Sequence, residues 1–306
     1  MIPIIIGVVA IVIVAGSLYG LSTSQNTKKP SGLPILWWFV DDGEPNTKSW
    51  ASFEDRATYE PVEPYLSLCL DKARDLWSPS WEIRPIIGRR AALAIIKDPP
   101  AGVIRTPPSL WIAWLRATLL AQQGGLWVDG SVLPLASGET LRARVNGHDV
   151  LTFGTDPDES LATASQESKA GAPAAGLSAG WSAKPGNPMW SGLSASIAAV
   201  IASGPPSWSA FDARRALRTL WDKHCGGVTL VDRKAEVSRS PYGRLLDYVD
   251  LFATSEVTVD TSNALWLPLP EGRNALDRKT AYQWFTRLSK QQIAESDFFW
   301  ARMART

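Results

Sequence analysis

Cysteine and histidine are scarce in this sequence of 306 residues, which contains two of each. Cys69 and Cys225 form no C-x-x-C pair, and no cluster of metal-ligand residues surrounds them. A disulfide framework and a structural zinc site are therefore not expected. His148 and His224 lie far apart without a suggestive neighbour, so each is expected to be structural or exposed rather than catalytic.

An excess of one charge is also missing, because 31 basic and 30 acidic residues leave a formal net charge of +1. This balance gives no indication of a basic surface for nucleic acid. The sequence contains neither a G-x-x-x-x-G-K-[ST] loop nor a G-x-G-x-x-G segment after a predicted strand. An unrelated nucleotide-binding enzyme with one of these phosphate loops is therefore not favoured.

Charge is absent from the amino-terminal segment, where Met1–Leu21 is apolar and the first charged residue is Lys28. About twenty apolar residues span a bilayer as a helix, and a signal peptide fits less well because no basic region precedes the run. We expect a single-pass membrane anchor over residues 1–21 and a polar linker over residues 22–32. Lys28 and Lys29 favour the cytosolic side for the large domain, as does the lack of any N-x-[ST] site.

Tryptophan, in contrast, is abundant, with 15 residues, most of which we expect in the core and a few at a ligand site. Beyond the linker, apolar runs and helical periodicities alternate, which predicts an α/β fold with a mostly parallel sheet. Strands are predicted at Leu33–Val40, Trp81–Ile87, Leu126–Leu135 and His148–Gly154. Helices are predicted at Glu63–Trp77, Arg89–Lys97, Ser109–Gln123 and Ser209–Cys225, with further helices near Pro188 and in the tail. A loop is predicted at Asp158–Gly180.

Two charges stand out in the otherwise uncharged stretch from Pro107 to Leu135, namely Arg116 and Asp129. The helical neighbours of Arg116 are apolar, so its guanidinium is expected to be buried and to need an anion. That anion is either a structural carboxylate such as Asp129 or the phosphate of a ligand. Asp129, in an apolar strand, must pair with a cation, bind a metal or accept backbone N–H groups. Its place at a strand end before Gly130 favours a metal and phosphate site. A structural turn cap is the alternative.

The segments "LPILWWFVDDGEP", "CLDKARDLWSPSWEIRPI" and "WLRATLLAQQGGLWVDGSV" follow one another in an order that resembles the capsular-polysaccharide-synthesis and family-32-like glycosyltransferases. The resemblance covers residues 33–135, with a looser match at "AKPGNPMW". It implies a Rossmann-type GT-A fold over residues 33–306, a nucleotide-sugar donor and a glycan acceptor. Asp129 would bind a divalent metal, Mn²⁺ or Mg²⁺, with Ser131 at the second position of the motif. Arg116 would contact the donor and Trp38 would line the nucleotide pocket.

The sequence departs from this family pattern at three positions. Ala113 replaces an acidic residue three positions before Arg116, Ser131 replaces the second acidic position after Asp129, and Asp41 occupies the place of a second tryptophan. These departures leave a second hypothesis open, a catalytically inactive relative that binds glycans or acts as a scaffold at a membrane. For an inverting reaction, which needs a general base, the candidates by residue type are Asp41, Asp42 and Glu236.

Overall fold

The computed structural model describes residues 32–40, 63–154, 177–204, 210–225, 230–232, 238–239, 244–269 and 281–306. Its strands are β1 Ile35–Val40, β2 Glu82–Ile87, β3 Gly125–Asp129, β4 Leu133–Pro134, β5 Val150–Gly154, β6 Leu177–Ser182, β7 Leu230–Asp232, β8 Ser238–Arg239, β9 Arg244–Leu245 and β10 Trp266–Leu267. Its α-helices are α1 Pro64–Trp77, α2 Gly88–Ile95, α3 Pro108–Gln123, α4 Gly138–Val145, α5 Pro188–Ser203, α6 Ala210–Cys225, α7 Tyr248–Leu251, α8 Lys290–Glu295 and α9 Phe299–Arg305. Short 3₁₀ turns lie at Val103–Arg105 and Phe285–Arg287.

Six strands form the central sheet in the order β2-β1-β3-β6-β5-β7. Neighbouring strands pair in parallel except at β6, which is antiparallel to both β3 and β5. The described residues from Leu33 onward belong to one compact unit. The predicted α/β class and mostly parallel sheet are thus confirmed, and the arrangement is compatible with a Rossmann-like domain.

The central strands are buried on both faces because helices cover each side of the sheet. In β1, Leu36, Trp38 and Val40 pack into one hydrophobic cluster, whereas Trp37 and Phe39 pack into the other. We call the helices on the first side the α1 layer; it contains α1, α4 and the segments that follow residue 244. The second side is the α3 layer, which contains α2, α3, α5 and α6.

The predicted strand Leu126–Leu135 is in fact two short strands separated by a turn. β3 ends at Asp129, and the Gly130 N–H donates to the carbonyl of Phe39 at 2.6 Å. A side chain at Gly130 would lie 2.2 Å from Cγ2 of Val40, so only glycine allows this turn to pack against β1. β4 then leaves the central sheet and pairs with β10.

The predicted loop Asp158–Gly180 is wrong at its carboxyl end, because β6 begins at Leu177. A Cβ at Gly180 would lie 3.0 Å from Cη2 of Trp190. The small residues that suggested a loop are therefore needed in this strand, because a large indole packs directly on it. The remainder of the predicted loop, residues 158–176, lies outside the described residues.

No helix among the described residues is long and apolar enough to cross a membrane. The predicted anchor at residues 1–21 and nearly all of the predicted linker, residues 22–31, lie outside the described residues.

Candidate functional site

Helix α3 and strand β3 are joined by a tight reversal of the chain at Gly124 and Gly125, which we call the two-glycine hairpin. Both have positive φ angles, 68° and 93°, which other residues rarely adopt. A Cβ at Gly125 would lie 2.5 Å from the carbonyl oxygen of Ile35, and the indole N–H of Trp37 donates to the Gly124 carbonyl at 3.0 Å. These two glycines let the chain pass from helix to central strand without a loop.

This direct reversal places Arg116 and Asp129 at the same height along the sheet. From Arg116 to Gly124 the chain covers eight helical residues, a rise of about 12 Å. From Gly125 to Asp129 it covers four strand residues, a rise of about 13 Å in the opposite direction. The reversal at Gly124 and Gly125 thus brings the two charged residues to the same end of the sheet, although they are well separated in sequence.

Arg116 is buried, with 9% of its surface exposed, as its apolar helical neighbours predicted. Around it, α3 packs on α5, and Thr118 Oγ1 lies 2.7 Å from Ser194 Oγ in that contact. The charge of Arg116 lowers the pKa of Asp129. Arg116 therefore acts on Asp129 through its charge, and its burial keeps that charge poorly screened.

Asp129 is the last residue of β3 and lies at the carboxyl end of the parallel strands, where ligands collect in such sheets. Asp129 is exposed although Trp127 and Val128 before it are buried, because the strand ends at this position and the side chain reaches past the core. Its Oδ1 accepts hydrogen bonds from the Ser131 N–H and hydroxyl, both at 3.2 Å. Oδ2 accepts neither of these two bonds.

Loss of hydration among the surrounding protein atoms raises the pKa of Asp129 above its ordinary value. The two hydrogen bonds from Ser131 and then the charge of Arg116 oppose this rise. Because the side chain is also open to solvent, water still stabilises the carboxylate in part. A carboxylate that is desolvated in part binds a cation or a donor more favourably than a fully hydrated one.

Ser131 is 7% exposed and directs its hydroxyl proton to Asp129, which leaves the oxygen lone pairs for another partner. The structure therefore brings together Arg116, Asp129 and Ser131 of the predicted donor-binding set. Among the described residues, no group of three His, Cys, Asp or Glu side chains could hold a metal ion by itself. A divalent ion at Asp129 would need its remaining ligands from a bound diphosphate and water, as Mg²⁺ sites commonly do.

Trp38, the fourth predicted residue, is fully enclosed in β1, one strand away from Asp129. Its Cζ2 lies 2.9 Å from where a Cβ at Gly130 would stand, so the nitrogen-bearing edge of the indole faces the turn after Asp129. Within the described part of the chain, its Nε1 has no hydrogen-bond partner. With no exposed face, the indole is placed to support the turn, and its role in lining the nucleotide pocket stays a prediction.

Cys69 of α1 also belongs to this neighbourhood, although its sequence context gave no sign of this. Burial raises the pKa of its thiol, and the nearby charge of Asp129 raises that pKa further. The thiol is therefore protonated at neutral pH and is not a nucleophile. Asp129 is therefore close enough to both α1 and α3 to interact electrostatically with a residue of each helix.

The two histidines lie elsewhere in the fold. His224 Nε2 is 2.8 Å from Ser196 Oγ, a contact between α6 and α5. The backbone carbonyl of His148 accepts a hydrogen bond from the Trp181 indole at 2.9 Å. Neither histidine is among the groups that shift the pKa of Asp129. The candidate general bases Asp41, Asp42 and Glu236 lie outside the described residues.

No protein-family model matches this chain, and no curated protein matches it.

Proposed function

We propose that this protein is a membrane-anchored glycosyltransferase of the GT-A fold, which transfers a sugar from a nucleotide-sugar donor to a glycan acceptor. The observation that carries the proposal is the placement of an exposed carboxylate and a buried guanidinium at one point on the carboxyl edge of the sheet. The mostly parallel sheet is compatible with such a fold. The family resemblance of residues 33–135 supplies the reaction type.

The departing nucleoside diphosphate carries the charge that this site has to stabilise. Arg116 would suit that task because a planar guanidinium can donate several hydrogen bonds to phosphate oxygens, and its burial would strengthen the interaction. Asp129, with Ser131 beside it, would hold Mn²⁺ or Mg²⁺, and the metal would neutralise diphosphate charge. The two hydrogen bonds from Ser131 engage Oδ1 of the carboxylate, and Oδ2 would bind the metal.

A screen of UDP- and GDP-sugars for hydrolysis, with and without Mn²⁺, tests the proposal. We expect one donor class to be hydrolysed in a metal-dependent manner, and Asp129→Asn to lower the rate by about a hundredfold or more. Asp149→Asn is the matched control, since this exposed aspartate precedes β5 at the opposite edge of the same sheet. Equal rates for wild type and Asp129→Asn would remove Asp129 from the site.

The departures at Ala113 and Ser131 favour a second candidate, an inactive relative that binds glycans or acts as a scaffold. Asp129 is the one acidic residue in the segment "GGLWVDGS". Thermal-shift measurements with the same donors separate the two candidates. Stabilisation by a donor and Mn²⁺ supports the enzyme, whereas no stabilisation by any donor supports the scaffold.

A further inference from the structure

Among the tryptophans in the described part of the chain, Trp284 is the exposed one, with 40% of its surface accessible. Tryptophan offers a large, rigid face at a low entropic cost, and an exposed one is a frequent recognition element. Trp284 therefore differs from the many indoles that fill the two hydrophobic clusters.

Three phenylalanines hold Trp284 in place. Its ring centroid lies 5.3 Å from that of Phe252, 5.5 Å from that of Phe298 and 6.1 Å from that of Phe285. All three pairs have an edge-to-face geometry, with interplanar angles of 62°, 77° and 84°. The indole is thus fixed by an aromatic base and is not stacked face to face on any of these rings.

The position of α1 places Trp284 at the same edge of the sheet as Asp129. α1 connects the parallel strands β1 and β2, so its amino-terminal turn lies at the carboxyl edge of the sheet. Tyr65 in that turn packs against Phe285 at 5.1 Å, and Phe285 contacts Trp284. One turn further along α1, Cys69 is close enough to Asp129 to be affected by its charge.

The location also separates Trp284 from the donor's phosphate site. Arg116 belongs to the α3 layer, whereas Trp284 belongs to the aromatic part of the α1 layer. The rings of Phe285 and Tyr65 stand between Trp284 and the turn of α1 that approaches Asp129. A ligand that reaches both points must be extended, which fits an oligosaccharide better than the base of a donor bound at Asp129.

We propose that Trp284 is the platform on which a pyranose ring of the glycan acceptor stacks. This inference rests on the proposed function, because it assigns the acceptor to the same edge as the donor site. The C–H bonds on one face of a pyranose carry small positive partial charges, and the face of an indole is negative. The remaining sugar hydroxyls would stay hydrated at this exposed position, as is usual for a wet polar interface.

Saturation-transfer NMR on the full chain in detergent micelles tests the platform. The probes are methyl glycosides of glucose, galactose, mannose, rhamnose and N-acetylglucosamine, together with the donor's free nucleotide. We expect saturation of the ring protons of one glycoside, and Trp284→Leu to raise its dissociation constant about tenfold. Trp284→Phe keeps a ring and should give a smaller rise, which guards against a loss of folding in the leucine variant.

Two further variants make the test specific. Ile104→Ala removes an exposed apolar side chain of the α3 layer and should leave glycoside binding unchanged. Asp129→Asn should weaken nucleotide binding in the presence of Mn²⁺ and leave glycoside binding unchanged. Unaltered nucleotide binding in Asp129→Asn would count against the proposed function alone.

Three results would overturn the platform: no saturation of any glycoside, equal glycoside binding in Trp284→Leu and wild type, or loss of nucleotide-base saturation in Trp284→Leu. The last of these would show that the indole stacks on the donor's base.

Discussion

The two helical layers of the sheet are assembled from different parts of the sequence. The α3 layer combines α2 and α3 with the later helices α5 and α6, and it meets β3 through the two-glycine hairpin. The α1 layer joins α1 to the carboxyl-terminal tail, where Lys72 donates to the carbonyl of Ala304, 232 positions away in sequence. Both layers therefore contain long-range contacts, such as that between Thr118 and Ser194 in the α3 layer, but the contacts that hold the tail on α1 join more distant parts of the sequence.

The same difference separates the two proposed binding surfaces. Arg116 approaches Asp129 because one hairpin holds both residues. Trp284, in contrast, takes its place through rings from distant segments, including Tyr65, Phe252 and Phe298. We expect the donor site to persist in variants that loosen the tail, and the acceptor platform to be lost in them.

The largest effect is expected from Gly125→Ala, which disrupts the hairpin of the α3 layer. The new Cβ would lie 2.5 Å from a backbone oxygen at a φ of 93°, so the free energy of unfolding should fall by at least about 3 kcal/mol. Gly147→Ala is the control, because its φ is 83° but nothing lies within 4 Å of the new Cβ. It should cost about 1–2 kcal/mol. If urea denaturation gave the same decrease in the free energy of unfolding for both variants, β1 would shift to accept the new Cβ without an energetic cost.

A smaller effect is expected from Lys72→Met, which removes the hydrogen bonds between α1 and the carboxyl-terminal helix α9. Lys72 Nζ donates to the carbonyls of Met303 and Ala304 at 3.4 and 3.0 Å. We expect a loss of about 1 kcal/mol together with faster amide hydrogen exchange confined to α9. Lys97→Met, at an exposed lysine of the α3 layer, should change neither quantity. Slower or unchanged exchange in α9 would show that apolar packing alone docks the tail.

The next prediction concerns the pKa of Asp129, where the α1 layer and the α3 layer meet. Its pKa is raised, so protonation should begin above the ordinary aspartate pKa of about 3.9. Ser131→Ala and Arg116→Met each remove a group that lowers this pKa, and both should raise it further, with the serine variant giving the larger shift. Carboxyl ¹³C NMR, with Asp129→Asn to assign the resonance, measures the order directly.

The sign of the linked stability follows from the same raised pKa. The ionised form of Asp129 is less favoured in the folded chain than in the unfolded chain, so stability is greatest below the unfolded pKa. It decreases as pH rises towards the folded pKa. At neutral pH, Asp129→Asn should therefore raise the melting temperature, by no more than roughly 2 °C because solvent reaches the side chain. A lower melting temperature would mean that the carboxylate stabilises the fold.

Local patterns in the sequence predicted most of the sheet and the α3 layer. The buried guanidinium of Arg116, the helix before Gly124-Gly125 and the strand-end position of Asp129 all follow from residues close in sequence. The separation of β3 from β4 was not predicted, and the contact that requires glycine at position 130 involves Val40 on another strand. β6 was missed for the same kind of reason, since Trp190 determines why it needs small residues.

The acceptor platform had no signal of its own in the sequence. Composition indicated that a few tryptophans would serve a ligand, but nothing near Trp284 distinguishes it from buried tryptophans such as Trp266 and Trp300. Its exposure is decided by the packing of α1, α7 and the tail, which are remote in sequence. The GG-x-W-x-D motif, in contrast, was visible because one hairpin contains it.

The smallest effect is expected from Asp71→Asn, which breaks the ion pair between α1 and α8. Lys290 Nζ lies 2.6 Å from Asp71 Oδ2, but both side chains are more than 40% exposed. Such a pair contributes about 0.5 kcal/mol or less, and less still at high salt. A double-mutant cycle with Lys290→Met measures the coupling. A coupling above about 1 kcal/mol would mean that charge helps to dock the tail, whereas a smaller value leaves the aromatic contacts around Phe285 as the force that assembles the α1 layer.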